Sequence, residues 1–144
     1  MRIIADTGIL VALLDKRDQH HQWANVIAKR YKAPFYTCEA VIAEAAHLLY
    51  GKVGAQGVTR LVDFLESELV KIDFRVENHT SRIITLLQRY ENVPMDYADA
   101  CIVVMAEQEK YRDHTILTVD DTDFRVYRRN GREALTIETP QTRK

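Results

Sequence analysis

Short apolar segments rich in β-branched residues alternate along this chain with longer stretches of helical periodicity. No other feature restricts the fold as strongly. Strand-like runs are expected at residues 2–6, 34–37, 69–74, 115–119 and 134–137. Between them the periodicity predicts helices near 9–14, 20–31, 39–49, 59–67, 80–90 and 96–108, and a short one at 123–129. Such alternation points to an α/β domain whose mainly parallel sheet is covered on both faces. The 144 residues, 47% of them hydrophobic, are enough for one core, and no repeat or Pro/Gly/Ser linker divides them.

Four acidic residues break this apolar pattern. Asp6 ends the run Ile3-Ile4-Ala5, and Asp120 follows Ile116-Leu117-Thr118-Val119. Glu44 lies on the stripe Val41, Ala45, Leu48, and Asp99 on the stripe Ile102, Val103, Ala106, so both are expected to face inward. A lone buried carboxylate is costly and either neutralises or finds a partner. Several together suggest one acidic pocket held by a divalent cation with hard oxygen ligands. Asp6 and Asp120 fall at the carboxyl ends of strands, where open α/β sheets bind ligands. Asp96, placed after Pro94, has two readings: a helix cap or a supplementary acid.

The remaining chemistry is sparser. None of the five histidines lies in an acidic motif, which argues against a histidine-based nuclease. Cys38 and Cys101 are too few for a disulfide framework and are read as reduced, buried thiols. A net charge of −1 gives no global attraction to a polyanion or a membrane. Local basic groups stand near the acids: Lys16 and Arg17 after the first helix, and Arg125, Arg128, Arg129 and Arg132 after Asp120. They are either a phosphate-gripping rim or a solvated face. No aromatic-rich RNA-recognition signature is present. No apolar run reaches membrane-spanning length, and Met1-Arg2 leads straight into a strand, so a cytoplasmic protein is expected.

Ile3-Ile4-Ala5-Asp6-Thr7-Gly8, Val41-Ile42-Ala43-Glu44, Met95-Asp96-Tyr97-Ala98-Asp99-Ala100 and Leu117-Thr118-Val119-Asp120-Asp121-Thr122-Asp123-Phe124, in that order, resemble the PIN domain. The branch it is similar to is that of VapC-type toxin ribonucleases of toxin–antitoxin pairs. The resemblance implies a single three-layer α/β/α domain over residues 1–144, with a core at about 2–129 and a C-terminal strand at 134–138. It also implies a five-stranded sheet of order 3-2-1-4-5. Metal binding and catalysis would fall to Asp6, Glu44, Asp99 and Asp120, holding one or two Mg²⁺ or Mn²⁺ ions. Thr7, Asp96, Thr118 and Asp123 would support them, and Lys16, Arg17, Arg125, Arg128 and Arg129 would contact RNA. The implied activity is metal-dependent endoribonuclease, with an RNA substrate, a small antitoxin partner and a homodimeric state.

Rival readings fare worse on the residues. A phosphate-signalling receiver could use Asp73 as acceptor, but its last strand, Leu135-Thr136-Ile137-Glu138, brings no lysine. An aspartyl-nucleophile phosphatase needs a second acid two residues after Asp6, where Gly8 stands. A PIN fold that binds RNA or protein without cleaving it is the remaining alternative. Four mutually repelling carboxylates argue against that one, since a purely structural module gains stability by losing them.

Overall fold

The computed structural model describes residues 1–141, so residues 142–144 of the expected 1–144 span lie outside the description. β1 (Arg2–Ala5) leads into α1 (Thr7–Leu14) and α2 (His21–Tyr31), then β2 (Phe35–Thr37). α3 (Glu39–Lys52) and α4 (Ala55–Glu66) precede β3 (Val70–Ile72). α5 (Thr80–Arg89) and α6 (Tyr97–Glu107) connect to β4 (His114–Leu117), followed by α7 (Asp121–Val126). A hairpin of β5 (Arg128–Arg129) and β6 (Glu133–Ala134) precedes β7 (Ile137–Glu138).

The main sheet runs in the order β3-β2-β1-β4-β7 with every pairing parallel, the expected 3-2-1-4-5 arrangement with β7 as fifth strand. β1 sits against β4 in the register Arg2–His114 to Ala5–Leu117. Successive strand residues point to opposite faces, and both Ile3 and Ile4, like all four residues of β4, are buried. Both faces of the central strands are therefore covered by helices. Each fully buried aliphatic or aromatic side chain there, such as Ile4, Ile116 or Phe124, stabilises the fold by roughly 1.5–3 kcal/mol.

Strand order reverses at β1. β2 and β3 extend to one side and β4 to the other, which opens a crevice at the carboxyl ends of β1 and β4. Gly8 keeps that crevice tight: a Cβ there would stand 2.3 Å from Val119 Cγ2, so the first turn of α1 lies directly on the loop after β4.

Several boundaries move for identifiable reasons. Asp6 leaves the strand and becomes the N-cap residue of α1, which starts at Thr7. α4 begins at Ala55 because Gly54, at φ 107°, makes the break that only glycine adopts without strain. The fifth strand, expected at 134–137, is displaced to Ile137–Glu138. Asn130 and Gly131, both at positive φ, close a tight hairpin that takes Glu133 and Ala134 into pairing with Arg128 and Arg129.

Candidate metal centre

The crevice gathers acids from four elements. Asp6, 7% exposed, holds the N-cap position of α1 at the end of β1 without a side-chain cap bond, and its Oδ2 accepts a 2.8 Å hydrogen bond from Thr118 Oγ1 just beyond β4. The same Thr118 oxygen accepts the backbone N–H of Asp120 at 2.9 Å. One buried hydroxyl thus sets the positions of two carboxylates from neighbouring strands. Asp120 in turn caps α7, accepting the Asp123 N–H at 3.0 Å. Asp96 caps α6 by accepting the Asp99 N–H at 2.8 Å, and it is exposed. Three helix N-termini therefore converge here, and their dipoles favour negative charge.

Asp99 is buried on the first turn of α6, with Oδ2 accepting a 2.7 Å hydrogen bond from Tyr127 Oη. Carboxylate oxygens of Asp99, Asp120 and Asp123 lie within 4.8 Å of one another. No lysine or arginine forms an ion pair with Asp6, Asp96, Asp99, Asp120 or Asp123 among the described residues. The electrostatic result is clear. Burial pushes the Asp6 carboxyl up to about 6 against the opposing hydrogen bonds of the Thr7 backbone and Thr118, with Glu44 and Asp120 adding repulsion. Burial likewise raises Asp99 to about 8; Tyr127 opposes the shift, and Asp6, Asp96 and Asp120 reinforce it. Asp123 is also raised, first by burial and then by Asp120.

Glu44 departs from the inward position expected of it. The buried stripe of α3 is Val41, Ile42, Ala45 and Leu49, which leaves Glu44 and Leu48 exposed at its edge. Glu44 still reaches the crevice, because its Oε1 accepts a 3.0 Å hydrogen bond from Thr7 Oγ1. Thr7 and Thr118 both contact carboxylates.

The basic residues separate sharply. Arg129 is buried, and its guanidinium donates to the Ala106 carbonyl at 2.7 Å and to Glu133 at 2.9 Å. It secures the C-terminus of α6 and does not face the crevice as a phosphate ligand would. Arg128 turns its guanidinium onto the carbonyls of Arg125 and Tyr127. Arg125 pairs with Asp121 at 2.7 Å. Arg17 donates to the Lys52 carbonyl at 2.7 Å, and Lys16 is exposed.

Tyr127 carries a role the sequence reading missed. It is wholly buried against Tyr90 and Phe124, so its hydroxyl is held on Asp99 by packing. Its one sequence signal is an aromatic residue three positions after Phe124, just beyond the acidic motif. Cys38 and Cys101 are free, buried thiols. The ligand set facing the crevice is therefore carboxylate and hydroxyl oxygen, which fits Mg²⁺ or Mn²⁺ and not a thiolate-seeking metal.

No helix among the described residues is long and apolar enough to cross a membrane. The chain is similar to the crystal structure of Mycobacterium tuberculosis VapC20, a sarcin-ricin loop cleaving toxin, with a TM-score of 0.69 and 18% identity over 79% of this chain and 86% of that one. It is also similar to DNA-bound VapBC from Salmonella typhimurium, with a TM-score of 0.61 and 18% identity over 96% of this chain and 98% of that one. Likeness at this identity speaks to the fold. No curated protein matches the sequence. The PIN domain model matches residues 3–130, the span that carries every acid of the crevice from Asp6 to Asp123, and by that match the chain belongs to the PIN domain family.

Proposed function

We propose that this protein is a divalent-metal-dependent endoribonuclease, the toxin of a type II toxin–antitoxin pair, and that residues 1–144 form a single domain. The observation that carries the reading is the convergence of Asp6, Asp99, Asp120 and Asp123, with Glu44 at the edge, on the crevice between β1 and β4 with no lysine or arginine paired to these aspartates among the described residues. When bound there, Mg²⁺ or Mn²⁺ would acidify a water, neutralise phosphate charge and stabilise the leaving oxygen. Asp99, Asp120 and Asp123, with Asp6 beside them, would hold the ion, and Glu44 would border the site from α3. Asp96 and Asp123 extend the acidic surface far enough for one or two ions.

The rest of the chain orients these groups. Thr118 fixes the relative placement of Asp6 and Asp120, Thr7 holds Glu44, and Tyr127 fixes the Asp99 carboxylate. Lys16 and Arg17, past the end of α1, and Arg125 and Arg128, in and just after α7, are the basic groups that would meet phosphates. Arg129 belongs to the scaffold. The apolar groove of α3 and α4, where Tyr50 and Val62 are exposed, supports a protein partner on that side, in keeping with an antitoxin and a homodimer. An RNA substrate and an antitoxin partner would go with a cytoplasmic protein.

The test is cleavage of single-stranded or loop RNA with Mg²⁺ or Mn²⁺ and its loss with chelator. Single strands are favoured because their backbone can bend into a recessed site. Cleavage that persists in excess chelator contradicts the reading. A protein that binds RNA but never cleaves it, with any divalent ion, supports the binding-module alternative.

A further inference from the structure

Away from the acids, α1 and α3 are pinned together twice. Thr7, in the first turn of α1, meets Glu44, in the second turn of α3, and Arg17 Nη2 meets the Lys52 carbonyl just past the end of α1 and at the last turn of α3. The two helices therefore run side by side from the acidic crevice to a common far end. There they open on a cavity of about 400 Å³ whose lining includes Asp15, Lys16, Arg17, Lys52, Gln56 and Arg60. Four cations face one carboxylate, Asp15, which is buried, accepts the backbone N–H of Arg17 at 3.1 Å and lies 4.0 Å from Arg17 Nε.

The charge imbalance is local. Elsewhere Arg30, Arg75, Arg82, Lys110 and Arg125 lie against carboxylates. No hydrogen bond or ion pair engages the side chains of Lys16, Lys52 or Arg60 among the described residues. These three like charges, beside the Arg17–Asp15 pair, repel one another unless a polyanion joins them. Eight residues of helix separate Glu44 from Lys52, a span of about 12 Å at the α-helical rise. The surface between them is unobstructed at Gly51, where an added Cβ would meet nothing within 4 Å.

The geometry points to a phosphate-binding anchor at this cavity, formed by Lys16, Arg17, Lys52 and Arg60, which grips the RNA backbone a few nucleotides from the scissile bond. The inference rests on the ribonuclease reading above and specifies how that substrate is held. An acidic crevice repels RNA, so the attraction has to come from outside it, and this cavity stands at the right distance on the same pair of helices. Gln56, on the first turn of α4, adds a neutral donor beside the cations.

The test measures affinity of the full chain for labelled single-stranded RNAs of increasing length, in chelator so that cleavage does not interfere. Wild-type affinity should step up once the strand can span from crevice to cavity. The double variant Lys52→Ala/Arg60→Ala should flatten that step, weaken long-RNA binding about tenfold and make log K against log[salt] shallower by about 1.4, the value for two lost single-strand phosphate contacts. Gly51→Glu should weaken long-RNA binding while its melting temperature holds or rises, since glutamate is the better helix former. Lys71→Ala, on β3 and outside the cavity's lining, should change nothing.

Unchanged affinity and salt slope in the double variant, with wild type binding and cleaving RNA, overturn the anchor and leave the nuclease reading intact. Loss of an acidic protein partner with RNA binding unaffected also overturns it. Absence of any RNA binding or cleavage by wild type overturns both.

Discussion

The two ends of α6 handle buried negative charge in opposite ways. At its C-terminus, Glu107 accepts a bidentate Arg82 guanidinium at 2.9 and 2.7 Å and the Asn130 N–H at 2.7 Å, while Arg129 covers the neighbouring carbonyls. At its N-terminus, Asp99 receives one tyrosine hydroxyl and otherwise faces other acids. The chain can evidently pair a buried carboxylate when only folding is at stake. At the crevice it does not, and the unmet demand for positive charge is what marks the site.

If the difference is functional, Asp99→Ala should lower RNA cleavage by about a thousandfold or more with the fold intact. Asp6→Ala should do the same, and the double variant should cost little beyond either alone, since groups acting as one unit are strongly non-additive. Near-additive losses in the single and double kinetics would contradict a shared centre. The opposite end should respond in stability. Glu107→Ala strands Arg82 and the Asn130 N–H and should destabilise by roughly 2–4 kcal/mol in denaturant melts, below the figure for fully buried pairs because Arg82 is about a third exposed. A loss under 1 kcal/mol would erase the contrast between the two ends.

Smaller effects sharpen the picture. Tyr127→Phe keeps the buried ring and removes the donor to Asp99, so metal affinity and cleavage should fall about tenfold to a hundredfold, as for other supporting partners. Because that hydroxyl lowers the Asp99 pKa, the pH profile of metal binding should also move to higher pH. An unshifted profile would reduce Tyr127 to a packing role.

The pH dependence of stability is subtler. Asp6 and Asp99 are raised to about 6 and about 8 from an unfolded value of 3.8. Between these values the folded state binds more protons than the unfolded state, so stability falls as pH rises. Their contribution is full below 3.8 and is lost as pH climbs through 6 and 8. Chelated protein should therefore melt at lower temperature at pH 8.5 than at pH 5.5, and saturating Mn²⁺ should narrow that difference.

Much of the arrangement was legible in the sequence, for physical reasons. Asp6 and Asp120 ended apolar runs, and a charge at the carboxyl end of a buried strand has few places to go. Asp99 was flanked by apolar residues on both of its helical neighbours and is buried. Glu44 was misread because Leu48 counted as core, whereas the buried stripe runs through Leu49, one residue further round the helix. Arg129 was misread because its partner, the Ala106 carbonyl, is remote in sequence, and nothing local distinguishes a capping arginine from a phosphate ligand. Tyr127 escaped notice because its hydroxyl matters only once Asp99 is brought beside it. The shifted last strand did leave a signal: Asn130-Gly131 is a strong hairpin turn pair.

The most direct test of the central claim is a melting curve with Mn²⁺ and with chelator, for wild type and Asp99→Asn. If crowded carboxylates await a cation, wild type should gain stability with Mn²⁺ as the logarithm of its concentration over Kd. Asp99→Asn should melt at or above the chelated wild type, since it replaces a carboxyl whose ionisation the crevice disfavours and keeps an acceptor for Tyr127, and most of the Mn²⁺ gain should vanish. Superimposable wild-type curves with and without Mn²⁺, or an Asp99→Asn protein several degrees less stable in chelator, would contradict the account and make Asp99 a structural carboxylate.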